Sequence, residues 1–219
     1  MNVQTFIRKL TTTVTGGALI IAATSILSRF LGLLRDRLLA STFGGGGALD
    51  SYFAAFKVPD LIFNVLVLGA LSSSFIPVFI GYIKKNDPSS RDEAWRVANS
   101  ILNLLLIVLI VLGILFFIFV PQIIPLIAPG FPAEKQNITI QLSRVMLVAI
   151  VFFGISNVVS GILNALKRFT SFALAPVLYN LGIIFGIVAL TPRYGLMGLA
   201  YGVVLGAFLH LAIQIPSVL

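Results

Sequence analysis

Charged residues interrupt the apolar amino-terminal part of the sequence in two places. The first group comprises Arg29, Arg35, Asp36 and Arg37. A charge at membrane depth costs several kcal/mol unless it faces protein or a water-filled cavity, so this group indicates a charged cavity rather than a lipid-facing surface. On a helix with about 100° per residue, Arg29 and Asp36 share a face, whereas Arg29 and Arg35 lie about 120° apart. A wide cavity could therefore contact both arginines.

The second group forms a polar stripe on an otherwise apolar helix that would begin near Leu49. The stripe consists of four side chains that lie within about 80° of one another around the helix: Asp50, Lys57, Asp60 and Asn64. Its carboxylates could tune or gate a charged cavity. Pro59 lies inside the stripe and predicts a bend, which frees a backbone carbonyl that a neighbouring side chain or water must satisfy. The alternative is that both groups lie at the water interface, where long side chains extend outwards and opposite charges pair.

Other kinds of chemistry lack support in the sequence. The chain has no cysteine and one histidine, so a metal centre built from these residues is not expected. It contains no Walker A sequence, GxSxG elbow or HExxH helix, which leaves ATPase, hydrolase and zinc-protease functions without a motif. Of its 219 residues, 58% are hydrophobic and 10% are charged, against about 25% charged in a soluble domain. A soluble globular protein is excluded, and we interpret the net charge of +8 through membrane topology rather than nucleic-acid binding.

Six apolar runs are long enough to cross a membrane, which takes about 20 residues. The sequence therefore predicts an all-α, polytopic bundle of six transmembrane helices that occupies residues 1–219. The predicted spans cover approximately residues 10–36, 50–83, 97–120, 140–166, 169–191 and 195–219. The third span is expected to end at Val120 because Pro121 and Pro125 follow it. Residues 84–96 form a polar connector, in which Asp87-Pro88-Ser89-Ser90 can turn and then cap the next helix.

The basic residues predict the orientation of the bundle, since they accumulate in cytoplasmic loops. With the amino terminus inside, the cytoplasmic side holds Arg8, Lys9, Lys84, Lys85, Arg91, Arg96, Lys167 and Arg168. The opposite loops hold fewer basic residues. Both termini are then expected in the cytoplasm.

Several motifs in a fixed order resemble the amino-terminal signature of the MurJ/MviN family. They are SRFLGLLRD at residues 28–36, LDSYF at 49–53, FKVP at 56–59, SFIP at 74–77 and APGF at 128–131. The resemblance implies a flippase of the multidrug/oligosaccharidyl-lipid/polysaccharide exporter superfamily. Such a protein moves a lipid-linked peptidoglycan precursor, an undecaprenyl-pyrophosphate glycan, across the bacterial cytoplasmic membrane by alternating access and without covalent chemistry.

The resemblance also implies roles for particular residues. Arg29 and Arg35 match cavity arginines that hold the substrate pyrophosphate, and Lys57 would assist them. Asp36 and Asp50 match acidic positions nearby. Family members have two six-helix lobes around a cationic cavity, so this chain would supply the N-terminal lobe. A second lobe or a second copy of the chain would complete the cavity, and the assembled protein would be surrounded by membrane lipids. A coupling ion or the membrane potential, rather than a cofactor, would drive transport.

The chain departs from the family pattern just before residue 69. Phe63, Asn64 and Leu68 stand where the family usually has a basic pair and a glutamate. These changes remove a gate contact and weaken anion binding. Two alternatives therefore remain open: an exporter of another lipid-linked polysaccharide or amphipathic solute, and a non-transporting membrane scaffold. The sequence also leaves open a fragment, a natural product or half of a homodimer; its apolar end favours truncation.

Overall fold

The computed structural model describes residues 14–44, 47–65, 72–84 and 87–218, and every regular element within them is helical. The main helices are α1 (Val14–Phe43), α2 (Gly47–Ile62), α3 (Ser72–Lys84), α4 (Pro88–Ile127), α5 (Ala133–Ala165), α6 (Phe169–Phe185) and α7 (Leu196–Ala212). The π-helical segment Gly186–Leu190 and the single turn Thr191–Tyr194 continue α6, and a 3-10 turn, Ile215–Ser217, follows α7.

Among the described residues, five helical segments are long and apolar enough to cross a membrane. They are Thr15–Phe43, Ser89–Ile127, Ala133–Ala165, Phe169–Tyr194 and Leu196–Ser217. This confirms the predicted all-α, polytopic class. The predicted second span corresponds to α2 and α3, and residues 66–71 between them, including Leu68, lie outside the described residues. The number of six spans therefore stays a prediction.

Helix α4 begins and ends differently from the expected third span. Asp87 is its N-cap, in an extended conformation, and the carboxylate accepts a hydrogen bond from the Ser90 amide, as the sequence predicted. Pro88 occupies the first turn, where a missing N–H costs nothing. The helix then continues through Pro121 to Ile127 instead of ending at Val120. The expected end at Val120 is wrong because the rest of the bundle supplies a donor for the Phe117 carbonyl that Pro121 frees. This donor is the Arg144 guanidinium of α5.

Long-range polar contacts identify the two ends of the bundle. At the Lys135 end, Lys135 Nζ lies 2.7 Å from Asp50 Oδ2, which joins the first turns of α5 and α2. At the Lys167 end, the Arg168 guanidinium donates to the Ser217 carbonyl, which joins the start of α6 to the turn that follows α7. The consecutive helices α5, α6 and α7 therefore run antiparallel, as short connections between spans require.

Glycine allows α6 and α7 to pack closely. A Cβ atom added at Gly182 would lie 2.3 Å from the Cα atom of Gly206, so these two backbones touch where neither residue has a side chain. Small residues at such contacts are typical of membrane helices, where dispersion contacts replace the hydrophobic effect as the force that joins helices.

The two largest core clusters lie on either side of α2 and α5. One cluster, which includes Leu109 and Ile150, joins α2, α3, α4 and α5. The other, which includes Met146 and Val203, joins α1, α2, α5, α6 and α7. Helix α1 packs mainly against α6, whereas α2 packs mainly against α5, so these consecutive helices contact each other little. The space between α1, α2 and α6 forms the candidate site.

Candidate functional site

A cavity of about 370 Å³ lies between α1, α2 and α6. Its charged lining residues are Arg35 and Asp36 from α1 and Lys57 and Asp60 from α2. These are four of the seven site residues that the sequence singled out. Its other lining residues are Leu39, Tyr52, Phe53, Phe56 and Tyr179. Two cations and two carboxylates therefore share one aromatic-walled space.

Arg35 is held by partners on two helices. Its Nε and Nη2 atoms lie 3.0 and 2.9 Å from Asp36 Oδ1, and its Nη1 atom donates to Asn180 Oδ1 at 3.1 Å. The Asn180 amide nitrogen in turn donates to the Ser28 carbonyl at 3.2 Å and to the Ser28 hydroxyl at 3.1 Å. Asn180 therefore fixes the guanidinium in the cavity and ties α1 to α6. An incoming anion would compete with Asp36 for the charged fork.

Lys57 and Asp60 lie one turn apart on α2 and are both exposed to the cavity. Opposite charges three residues apart on a helix attract each other. Even so, neither forms an ion pair within 4.0 Å in the described part of the chain. The Lys57 ammonium is therefore available to an anionic ligand without first breaking a salt bridge.

Aromatic residues close the cavity on the side of the bundle core. Tyr52 is buried and packs edge-on against Phe56, with ring centres 5.0 Å apart. Tyr179 packs in the same way against Phe153, also at 5.0 Å. A smaller, mostly apolar cavity of about 200 Å³ adjoins this wall and shares Phe56, Asp60 and Tyr179 with the charged one. Asp60 thus lies between a polar and an apolar space.

Three of the expected site residues do not line the cavity. Asp50 pairs with Lys135 at the end of the bundle. Arg29 is exposed on α1, about 9 Å along the helix from Arg35 towards the Lys167 end. Asn64 is exposed in the π-helical turn at residues 63–65 that follows α2. The structure therefore gathers the central members of both charged groups and leaves these outer members apart.

The carbonyl freed by Pro59 has the partner that the sequence required. The Ser143 hydroxyl, on α5, donates to the Ala55 carbonyl at 3.1 Å, four residues before the proline. Ser143 is fully buried, so this bond forms inside the protein. The prediction of a neighbouring side chain or water at this carbonyl is confirmed, and the contact fixes the segment of α2 that carries Lys57 and Asp60.

Sequence reasoning missed the partners that position the charges. Asn180 both joins α6 to α1 and holds Arg35. A lone amide beside a tyrosine in the apolar run of α6 was the available signal. Nothing in the sequence beyond their polar hydroxyl groups indicated that Tyr52 and Tyr179 line the cavity. Within the described ranges, no cluster of three metal-ligating side chains occurs.

The chain resembles proteins of one family in sequence and in structure. The family described as "Lipid II flippase MurJ" matches residues 39–219. A probable lipid II flippase MurJ from Rickettsia prowazekii is 35% identical over 168 residues, which are 76% of this chain and 32% of that protein. Another from Buchnera aphidicola is 34% identical over 196 residues, which are 88% of this chain and 38% of that protein.

A solved structure supports the same assignment. "Lipid II flippase MurJ, inward closed conformation" superposes with a TM-score of 0.76 and 29% identity, and the match covers 92% of this chain and 42% of that one. The chain thus spans about a third to two fifths of the length of these relatives. The family consists of multi-pass proteins of the bacterial inner membrane, which are transporters rather than enzymes. With most of its length matched by the family and its fold shared, the chain belongs to the MurJ family.

Proposed function

We propose that this chain forms the N-terminal lobe of a flippase that moves a lipid-linked peptidoglycan precursor across the cytoplasmic membrane. The observation that carries the proposal is the cavity in which Arg35, Asp36, Lys57 and Asp60 meet. Relatives that match most of this chain are described as lipid II flippases, and lipid II is a lipid-linked pyrophosphate glycan. A second lobe, or a second copy of the chain, would close the other side of the cavity.

In this proposal the pyrophosphate binds between Arg35 and Lys57. Asn180 keeps its hydrogen bond to Nη1, while phosphate oxygens replace Asp36 on the other side of the guanidinium. The Asp36 side chain is 57% exposed, so water can solvate the displaced carboxylate. Because Asp36 neutralises Arg35 when no substrate is bound, each binding event exchanges one ion pair for another. That exchange limits the affinity for the substrate, and a limited affinity allows a transporter to release it.

The outer residues have places along the same path. Arg29 lies on the face of α1 that bears Asp36, about 10 Å nearer the Lys167 end. With both termini in the cytoplasm, Arg29 would contact the pyrophosphate before Arg35 does. The ion pair of the exposed Asp50 with the half-buried Lys135 would act as a gate at the far end. Asn64 would replace a charged group of the family beyond the cavity, and a coupling ion or the membrane potential would drive the cycle.

Transport by the complete protein tests this proposal. We expect Arg35→Ala and Lys57→Ala each to lower lipid II translocation at least tenfold, since one charge-assisted phosphate contact contributes about 1.5–3 kcal/mol. Arg29→Ala should abolish transport while membrane insertion stays intact. Arg91→Ala is the matched control, because Arg91 is exposed in the first turns of α4 and does not line the cavity.

The same assay separates the alternatives. If the variants at Arg29, Arg35 and Lys57 all translocate lipid II as the unsubstituted protein does, the assignment of these cations is wrong. Arginine-dependent transport of a different lipid-linked glycan, with lipid II excluded, would indicate the broader exporter. A non-transporting scaffold would translocate no lipid in any variant. Its cellular phenotype would be unchanged by the three charge-removing substitutions and would be lost only when packing residues are altered.

A further inference from the structure

A second groove lies on another face of α5, away from the charged cavity. It has a volume of about 620 Å³ and is framed by α4, α5 and α7. Its lining is apolar and aromatic apart from Arg144, the one charged side chain that the described residues contribute to it. At about 100° per residue, Arg144, Val148 and Phe152 are centred about 120° around α5 from Ala149 and Phe153, which line the smaller cavity beside the charged site.

Arg144 is fixed in orientation, but none of the residues that the structure describes supplies it with a counter-ion. Its Nε atom donates to the Phe117 carbonyl at 3.1 Å, and its guanidinium carbon lies 4.8 Å from the centre of the Phe117 ring. Pro121 frees that carbonyl, because residue 121 has no N–H to donate four residues back. No carboxylate of the described residues lies within 4.0 Å of Arg144. The hydrogen bond to Phe117 engages Nε, and the two terminal nitrogens of the fork form no ion pair with the described residues.

The uncharged run that follows Arg144 on α5 indicates the depth of this residue in the bilayer. The stretch from Val145 on α5 to Leu166, the residue that follows this helix, contains 22 uncharged residues and extends about 33 Å, and Lys167 and Arg168 follow it. The hydrocarbon core of a bilayer is about 30 Å thick. Lys167 and Arg168 therefore mark one boundary of the hydrocarbon, and Arg144 marks the other.

From Arg144 the groove extends into the hydrocarbon. Phe152 lies eight residues further along α5, about 12 Å deeper, and Phe208 lies about 10 Å deeper than Tyr201 on α7. Tyr201 packs against Tyr194 at 5.6 Å near the start of α7, as aromatic residues do at a membrane interface. The groove therefore combines an unpaired cation at headgroup depth with an apolar floor below it.

We propose that this groove binds an anionic phospholipid of the bilayer, with its phosphate on Arg144 and an acyl chain along Val148, Phe152, Val204 and Phe208. A phosphate supplies the negative charge that Arg144 lacks, and it accepts hydrogen bonds from both terminal nitrogens. The aromatic and aliphatic floor is complementary to a hydrocarbon chain. The site lies apart from the proposed substrate cavity and does not depend on it.

Lipid retention tests the site directly. The purified chain is incorporated into nanodiscs of equal phosphatidylglycerol and phosphatidylcholine, transferred to mild detergent, and its bound lipids are counted by native mass spectrometry. We expect one retained phosphatidylglycerol, and an approximately tenfold loss of it in Arg144→Gln, which removes the charge but can still donate to the Phe117 carbonyl. Arg144→Lys, which keeps the charge, should retain more than Arg144→Gln. Arg193→Gln is the matched control, since Arg193 is exposed and lies outside the groove.

A second variant keeps the test independent of Arg144. Val204→Trp fills the groove without touching the hydrogen bond to Phe117, so it should release the lipid from a chain that still folds. Retention of phosphatidylglycerol in both Arg144→Gln and Val204→Trp at the unsubstituted level would overturn the proposal. So would a Val204→Trp variant that loses a second copy of the chain, or another bound polypeptide, while its lipid count stays unchanged.

Discussion

Ser143→Ala tests whether α2 depends on a hydrogen bond from α5 at its proline. The Ser143 hydroxyl is fully buried and donates to the Ala55 carbonyl at 3.1 Å. Pro59 cannot make that bond, because it lacks the N–H that a helix normally presents four residues on. Alanine at position 143 removes the donor and leaves a carbonyl unsatisfied inside the protein.

The expected cost follows from what the carbonyl loses. An unsatisfied buried acceptor costs about 1–3 kcal/mol, whereas interhelical hydrogen bonds in membrane proteins contribute about 0.6 kcal/mol on average and about 1.7 at most. We therefore expect Ser143→Ala to lower the free energy of unfolding by about 1 kcal/mol. In a Pro59→Ala background the helix supplies its own N–H to Ala55, so the same change should cost almost nothing.

Unfolding of the purified chain in mixed micelles, titrated with a denaturing detergent, measures both costs. Their difference is the coupling energy of a double-mutant cycle, and we expect about 1 kcal/mol. Ser41→Ala serves as the control, since the Ser41 hydroxyl is exposed and bonds only within α1. If Ser143→Ala costs the same with and without Pro59, the hydroxyl does not serve the freed carbonyl and the reasoning fails.

Two further predictions concern the N-cap of α4 and the close contact between α6 and α7. Hydrogen bonds from the Ser89 hydroxyl and the Ser90 amide lower the pKa of Asp87, so its capping contribution is full above the ordinary carboxyl pKa of about 3.9 and is lost as the pH falls through the lower folded value. Hydrogen exchange in the first turn of α4, corrected for intrinsic rates, should show this loss of protection, and Asp87→Ala should remove both the protection and its pH dependence. Gly182→Ala should lower the free energy of unfolding by about 1–3 kcal/mol, because its Cβ would collide with the facing helix. Gly81→Ala, which meets nothing within 4 Å, should be neutral or stabilising, and equal effects at the two glycines would contradict the close packing.

Features that depend on nearby residues could be predicted from the sequence. Hydropathy located the five described helices that are long and apolar enough to cross a membrane, and the Asp87 cap followed from residues within one turn of it. The proline at position 59 also required a donor for the Ala55 carbonyl, although the sequence could not say that Ser143 supplies it. Each of these conclusions needs only the local backbone and the chemistry of a few neighbouring side chains.

The pairing of charges could not be predicted, because it depends on which helix faces show towards each other. Asp50 bonds to Lys135, 85 residues away, and Arg35 bonds to Asn180, 145 residues away. The charged stripe on α2 grouped Lys57 with Asp60, which do line the cavity together. The stripe also included Asp50, which instead pairs with Lys135 of α5 at the end of the bundle. Rotation and neighbours of a helix are set by packing along its whole length, which a stripe does not encode.

Two adjacent residues of α5 serve proline-freed carbonyls on two different helices. Ser143 bonds to α2 and Arg144 bonds to α4, and the residues point about 100° apart, so together they fix the rotation of α5 against both helices. Helix α1 is instead tied to α6 through Arg35 and Asn180. The charged cavity lies where these two sets of helices meet, with Arg35 on one set and Lys57 on the other. An anion that contacts both cations would therefore bridge the two sets, which is where substrate binding could change how the helices are arranged.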